Sequence, residues 1–181
     1  TCGWLEKNGF EVTRLPVDQN GRVAPDDLSD AIRDDTILVS IMLANNEVGV
    51  IQPISELADI TNQAGAVFHT DAVQAVGKIP VDVEELNVDL MAISGHKFYG
   101  PKGIGVLYRR EGTRITALQH GGHHEGNRRA GTENVPGAVG LATAIQLACE
   151  EREEEAERLS QLRNRLQSGI MQAMDDVQLN G

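Results

Sequence analysis

Cysteine is nearly absent from this chain, with Cys2 and Cys149 the only two in 181 residues. They are too few and too far apart for a disulfide framework or a metal knuckle, which suits a reducing, cytoplasmic compartment. Cys149 ends the stretch Ala142-Thr143-Ala144-Ile145-Gln146-Leu147-Ala148-Cys149, whose apolar spacing predicts a helix and makes this thiol a small core residue rather than a nucleophile. Long apolar runs are missing as well. Nothing approaches the length of a membrane span, and the first residues carry no signal-peptide pattern. Basic residues are scarce, 16 Lys and Arg against 27 Asp and Glu for a net charge of −11, which argues against a nucleic-acid or anionic-membrane surface. Much of the excess is local, since residues 150–158 hold six Glu against two Arg and read as the solvated face of a long helix. Internal repeats and low-complexity linkers are also lacking.

What is present is an alternation of short apolar runs with helical patterns. Thr36–Leu43, Ala66–Phe68, Asp89–Ile93 and Gly103–Tyr108 read as strands, the middle two apolar enough to be buried on both faces of a parallel sheet. Phe10-Glu11-Val12-Thr13-Arg14-Leu15 alternates apolar and polar like an edge strand. Pro25–Ile32 opens with proline and acids, as a helix does. A second helix is predicted from Pro53 to about Gln63, with Ile54, Leu57 and Ile60 on one face and Gly65 ending it. A long charged helix is predicted from about Pro136 to Met174. This order gives an α/β fold, a mostly parallel sheet flanked by helices.

Polar clusters follow three of these strands: Asn45-Asn46-Glu47, Asp71 with Gln74, and Ser94 with His96 and Lys97. Ligands of open α/β sheets bind at the C-terminal ends of strands, so the three clusters are predicted to face one crevice. Lys97 stands between a strand and the glycine-rich turn Gly100-Pro101-Lys102-Gly103. An amine there can hold an aldehyde cofactor as a Schiff base, and a carboxylate such as Asp71 can keep a pyridine nitrogen protonated. Singly, Lys97 reads as a solvated loop lysine and Asp71 as a strand-end cap; together with their neighbours they read as a site.

Four segments carry a resemblance that runs the length of the chain: Ala44-Asn45-Asn46-Glu47-Val48-Gly49, His69-Thr70-Asp71-Ala72-Val73-Gln74, Ser94-Gly95-His96-Lys97-Phe98-Tyr99-Gly100-Pro101-Lys102-Gly103 and Arg129-Ala130-Gly131-Thr132-Glu133-Asn134. In these the sequence resembles the pyridoxal phosphate cysteine desulfurases of the NifS and IscS kind, within the class V aminotransferases. Selenocysteine lyases share most of the segments and are the nearest rival. The resemblance implies the large domain of a fold type I, aspartate aminotransferase-like transferase. Its cofactor would be pyridoxal 5′-phosphate, its substrate L-cysteine, and its product an enzyme persulfide passed to a sulfur-acceptor or scaffold protein for iron–sulfur cluster or thio-cofactor assembly.

Carried over by position, Lys97 is similar to the Schiff-base lysine, which once displaced moves the α-proton. His96 stands beside it in the catalytic segment, and Ser94 and His96 are similar to phosphate ligands. Asp71 corresponds to the partner of the ring nitrogen, Gln74 to a donor to the ring hydroxyl, and Asn46 to the asparagine beside that hydroxyl and the substrate. Thr132 is similar to a threonine that reaches the partner subunit's phosphate, which implies a homodimer. Where the family commonly shows three glycines before a polar residue and Glu, this chain has Gly121-Gly122-His123-His124-Glu125. The family's phosphate-binding Gly-Thr turn and ring-stacking histidine precede the position matched by Thr1. Its nucleophilic cysteine and substrate-clamping arginine follow the position matched by Gly181. The chain therefore reads as the middle of a longer enzyme, inactive alone. Residues 1–134 would be part of the cofactor-binding domain, 135–176 a long helix, and 177–181 the start of a small domain.

Two rivals come from other classes. His120, His123 and His124 with Glu125, and His96, have the chemistry of a zinc site but the spacing of no zinc helix signature, so no metal ligand is assigned. Gly100–Gly105 lacks the Gly-Lys-Ser/Thr ending of a nucleotide phosphate loop. The other rival is a fragment that turns nothing over.

Overall fold

The computed structural model describes residues 1–180. Three helices precede or join the first strands: α1 (Cys2–Lys7), α2 (Pro25–Ala31) and α3 (Ile54–Gln63). Pro25 at the start of α2, with Asp26 and Asp27 in its first turn, supplies the fixed φ and the negative charge that a helix N-terminus favours. α3 stops where sequence predicts, at Gly65, which takes φ +76, a left-handed conformation cheap only for glycine. Its buried face is Ile54, Leu57, Ala58 and Thr61, and Thr61 Oγ1 satisfies itself on the Leu57 carbonyl at 2.9 Å.

Four strands make one sheet in chain order: β1 (Leu38–Met42), β2 (Val67–Asp71), β3 (Leu90–Ser94) and β4 (Gly105–Arg109). β1, β2 and β3 run parallel, and β4 returns antiparallel to β3. Register places Met42 beside Asp71 and Asp71 beside Ala92, so β1 and β2 end level and β3 runs two residues further, to Ser94. The core forms on one face, where Val39, Phe68, Thr70 and Met91 pack with Ile54, Leu57, Ala58 and Val88. On the opposite face the two middle strands are half-buried, at Val67, His69, Leu90 and Ala92, short of the expected full burial on both sides, and the outer strands are more open. Leu38 there is 49% exposed and Leu107 is 51% exposed.

Phe10–Leu15 is not a strand. Val12 and Leu15 turn partly inward, three residues apart rather than alternating, Phe10 is exposed, and no sheet edge pairs with the segment among the described residues. Alternation fits a half-buried surface and does not by itself supply a partner. Two ion pairs tie the segment down instead, Arg14–Glu6 at 2.8 Å and Arg33–Glu11 at 2.9 Å.

The predicted long helix is two, α4 (Val135–Glu150) and α5 (Arg152–Ala173), meeting at Glu151. α4 is held against the domain by Leu141, Ala144, Ile145 and Ala148, whereas α5 has no buried residue. The break thus falls where packing ends, at the start of a run of glutamates whose i,i+3 and i,i+4 repulsion weakens helix continuity. Cys149 is exposed rather than in the core. At 100° per residue it lies roughly a right angle from the middle of the packed stripe. Along α5, Leu159, Leu162, Leu166 and Ile170 form an apolar stripe that remains substantially exposed. Among the described residues no helix is long and apolar enough to cross a membrane.

Candidate functional site

Asp71 ends β2, half-buried. Its backbone carbonyl accepts from the Leu43 N–H at 2.8 Å, and its Oδ1 accepts from the Val73 N–H at 2.9 Å. The side chain is thereby fixed through one oxygen while the second makes no hydrogen bond among the described residues. Past this point the chain runs through successive turns, Val76 N–H to Ala72 O at 3.1 Å and Ile79 N–H to Ala75 O at 3.0 Å, with Gly77 left-handed between them, and these bring Lys78 back to Gln74. Lys78 Nζ donates to Gln74 Oε1 at 2.7 Å.

Beyond β3, Gly95–Phe98 forms a 3-10 turn bearing His96 and Lys97, both exposed. Glycine is required here by contact. A Cβ on Gly95 would stand 3.1 Å from Ile104 and 3.2 Å from Leu141, and one on Gly100 would stand 2.8 Å from the Gly95 carbonyl. Gly100 N–H closes the turn on that carbonyl at 2.9 Å, and Tyr99 takes φ +65 to permit it. Such a left-handed non-glycine residue is a local strain of order 1–3 kcal/mol, offset by the burial of Phe98. Ser94 Oγ lies 2.8 Å from His96 Nδ1. If the hydroxyl donates to Nδ1, the ring carries its proton on Nε2 as an outward donor.

Lys78 and Lys97 are electrostatic neighbours. The Lys78 ammonium is held below its ordinary pKa first by burial and then by the like charge of Lys97. The Asp71–Gln74 turn and the Ser94–Lys97 turn are therefore adjacent at the ends of β2 and β3. Asn46 is exposed at the tip of the turn after β1. Its neighbour Asn45 shapes that turn, with Oδ1 accepting the Glu47 and Val48 N–H groups at 2.8 and 2.9 Å.

Thr132 is not brought to this cluster. It sits exposed in a loop that closes on itself through His124 Nδ1–Glu133 at 2.8 Å and Arg129–Glu125 at 3.2 Å. His120, His123 and Glu125 do not join His124 around a point: among the described residues, no three metal-binding side chains converge.

Sequence reasoning missed three side chains of this region, Lys78, Ser40 and His69. Lys78 carried a usable signal, its i,i+4 spacing from Gln74. Ser40 and His69 did not, since their contact, Oγ to Nδ1 at 2.8 Å, depends on the β1–β2 register. Burial holds the His69 imidazole below its ordinary pKa, opposed by the Asp71 charge. Folding thus disfavours its protonation, and the unfolded chain binds that proton more readily. Stability should be intact above the ordinary histidine value of about 6.5 and fall as pH drops below it. His69→Gln should flatten this decline in urea midpoints between about pH 7.5 and 5.5; equal losses in both proteins would assign it to other groups.

Comparison with known proteins gives a consistent result. The aminotransferase class-V family model matches residues 4–181. The chain is 58% identical over 181 residues to cysteine desulfurase IscS of Methanosarcina thermophila, covering 100% of this chain and 45% of that protein. A solved NifS-like protein superposes with TM-score 0.91 at 46% identity, over 94% of this chain and 47% of that one. SspA, solved in complex with cysteine, superposes with TM-score 0.77 at 41% identity, over 80% of this chain and 42% of that one. The chain spans about half the length of these relatives.

Proposed function

Because this chain belongs to the class-V aminotransferase family, we propose that the intact protein is a pyridoxal phosphate-dependent cysteine desulfurase and that these residues hold its cofactor. One observation carries the reading: in a chain 58% identical to a cysteine desulfurase, Asp71 and the Ser94–Lys97 turn end adjacent parallel strands, with Asp71 in register with Ala92, two residues before Ser94. The donor set suits the group. A carboxylate oxygen at Asp71 makes no hydrogen bond among the described residues and can meet a protonated ring nitrogen, Ser94 orients the His96 ring so that its Nε2–H is a directional donor for a phosphate, and Lys97 offers an exposed amine.

When bound, pyridoxal phosphate supplies an electron sink conjugated to the substrate's α-carbon. Lys97 would hold the cofactor through its amine and, as a free amine, would move the substrate's α-proton. Asp71 keeps the ring nitrogen protonated, while Asn46 and Gln74 stand beside the ring hydroxyl. Ser94 and His96 anchor the phosphate. Sulfur passes from L-cysteine to an enzyme thiolate as a persulfide, leaving alanine, and from there to an acceptor protein. Neither Cys2 nor Cys149 is assigned as that thiolate. The homodimer is what the resemblance implies, with Thr132, exposed in its loop, serving the partner subunit's phosphate.

The intact protein given L-cysteine and a thiol reductant should release alanine and sulfide in equal amounts. Turnover of selenocysteine without turnover of cysteine would replace this reading with a selenocysteine lyase.

A further inference from the structure

We propose that Lys78 is a positioning residue that locks the side-chain amide of Gln74 so that its NH₂ group, not its oxygen, is presented to the cofactor's ring hydroxyl. The inference rests on the reading of Gln74 as a donor to that hydroxyl. It starts from an ambiguity built into glutamine: the amide has an accepting end and a donating end of nearly equal shape, and a half-turn exchanges them. Opposite an oxygen that accepts, one orientation binds and the other repels.

Lys78 removes the ambiguity. Its ammonium has three donors and no acceptor, so the atom it contacts at 2.7 Å must be the oxygen, Gln74 Oε1. Both Nε2 hydrogens are left to point elsewhere. The pairing is set by the backbone, since two successive turns, Val76 N–H on the Ala72 carbonyl at 3.1 Å and Lys78 N–H on the Ala75 carbonyl at 2.9 Å, with Gly77 left-handed between them, bring residue 78 back to residue 74. Gly77, at φ +79, permits the tight packing of this turn, because a Cβ there would stand 2.9 Å from Ala148 and 3.4 Å from Phe98, the residue that follows Lys97. The same contact brings the Lys78 turn against the Lys97 turn, and the like charge felt between the two ammonium groups agrees with that placement. Lys78 thus lies beside the site, in position to set the polarity of a half-buried amide.

The test uses the intact protein loaded with pyridoxal phosphate and two readouts: the cofactor's dissociation constant, and the pH titration of its visible band, which follows the proton shared between the lysine–cofactor nitrogen and the ring hydroxyl oxygen and so responds to a hydrogen bond at that oxygen. Gln74→Ala should weaken cofactor binding about three- to tenfold, the value of one hydrogen bond, and shift the titration. Lys78→Met should do the same in part, Lys78→Arg should restore both readouts because guanidinium is also donor-only, and Lys78→Met should add nothing in a Gln74→Ala background. An equal effect of Lys78→Met in both backgrounds would overturn the proposal, since the lysine would then act by its own charge. Gln74→Ala with an effect and Lys78→Met with none would break the link between them. No effect of Gln74→Ala would remove Gln74 from the site and the proposal with it. Both side chains lie at the surface or half-buried, and circular dichroism verifies that each variant is folded.

Discussion

Replacing Lys97 with alanine should yield a folded protein that has lost both its visible cofactor band and its turnover. The fold survives because Lys97 contributes nothing to packing: it is exposed, and the turn that bears it is held by its neighbours, Phe98 at 4% exposure and the Gly100 N–H on the Gly95 carbonyl at 2.9 Å. Function does not survive, because the same amine is asked to do two things. It holds the cofactor covalently, and it moves the α-proton of the substrate. Loss of a positioned acid–base group alone costs about 10²- to 10⁴-fold in rate, and loss of the covalent hold adds to that. Borohydride reduction of the loaded wild-type protein should place the label on Lys97, whereas the variant should take up none. An unchanged spectrum in the Lys97→Ala protein, or a label on Lys78 in the wild type, would move the assignment to another amine. The second outcome is a real competitor, since Lys78 is near enough to Lys97 for its ammonium to be destabilised by it.

The residues that could be found from sequence are those whose chemistry is announced by position along the chain. Ser94, His96 and Lys97 follow an apolar run directly and Asp71 lies three residues past one, and a parallel sheet delivers such residues to one end. Gly65 ends α3 because the left-handed conformation it takes has a local cause. Features that depend on a partner elsewhere were not legible. Phe10–Leu15 has the alternation of a strand, yet no edge receives it. Cys149 has the apolar company of a core residue, yet α4 is rotated so that Ala148 packs and Cys149 does not. The contact between Ser40 and His69 is invisible because it spans two strands, and only the β1–β2 register makes them neighbours. Thr132 shows the same limit at the next level up. Its motif was legible, but within one chain its loop closes on itself, and the role the resemblance implies for it needs a second subunit.

Asp71 allows the electrostatic part of the proposed mechanism to be separated from the structural part, because its two oxygens have different duties. Oδ1 accepts the Val73 N–H at 2.9 Å, a local cap that an asparagine oxygen can also make. The second oxygen is the one available to a protonated ring nitrogen. Asp71→Asn should therefore keep the cap and the strand end, whose pairing is by backbone through Leu43 N–H to Asp71 O and Ala72 N–H to Ala92 O, and remove only the charge. Hydrogen bonds to charged groups are worth about 1.5–3 kcal/mol, and loss of one preorganised group facing developing charge costs about 10²- to 10³-fold in kcat. The asparagine variant should lose turnover on that scale while still binding cofactor and still taking the borohydride label on Lys97. Asp71→Ala should match it in rate but also lose about 1 kcal/mol of stability with the cap, as side-chain caps of N–H groups generally do, visible as a lower urea midpoint. Wild-type kcat in the asparagine variant would show that the carboxylate's charge is not what holds the ring nitrogen, and would leave Asp71 the structural cap its strand-end position first suggests.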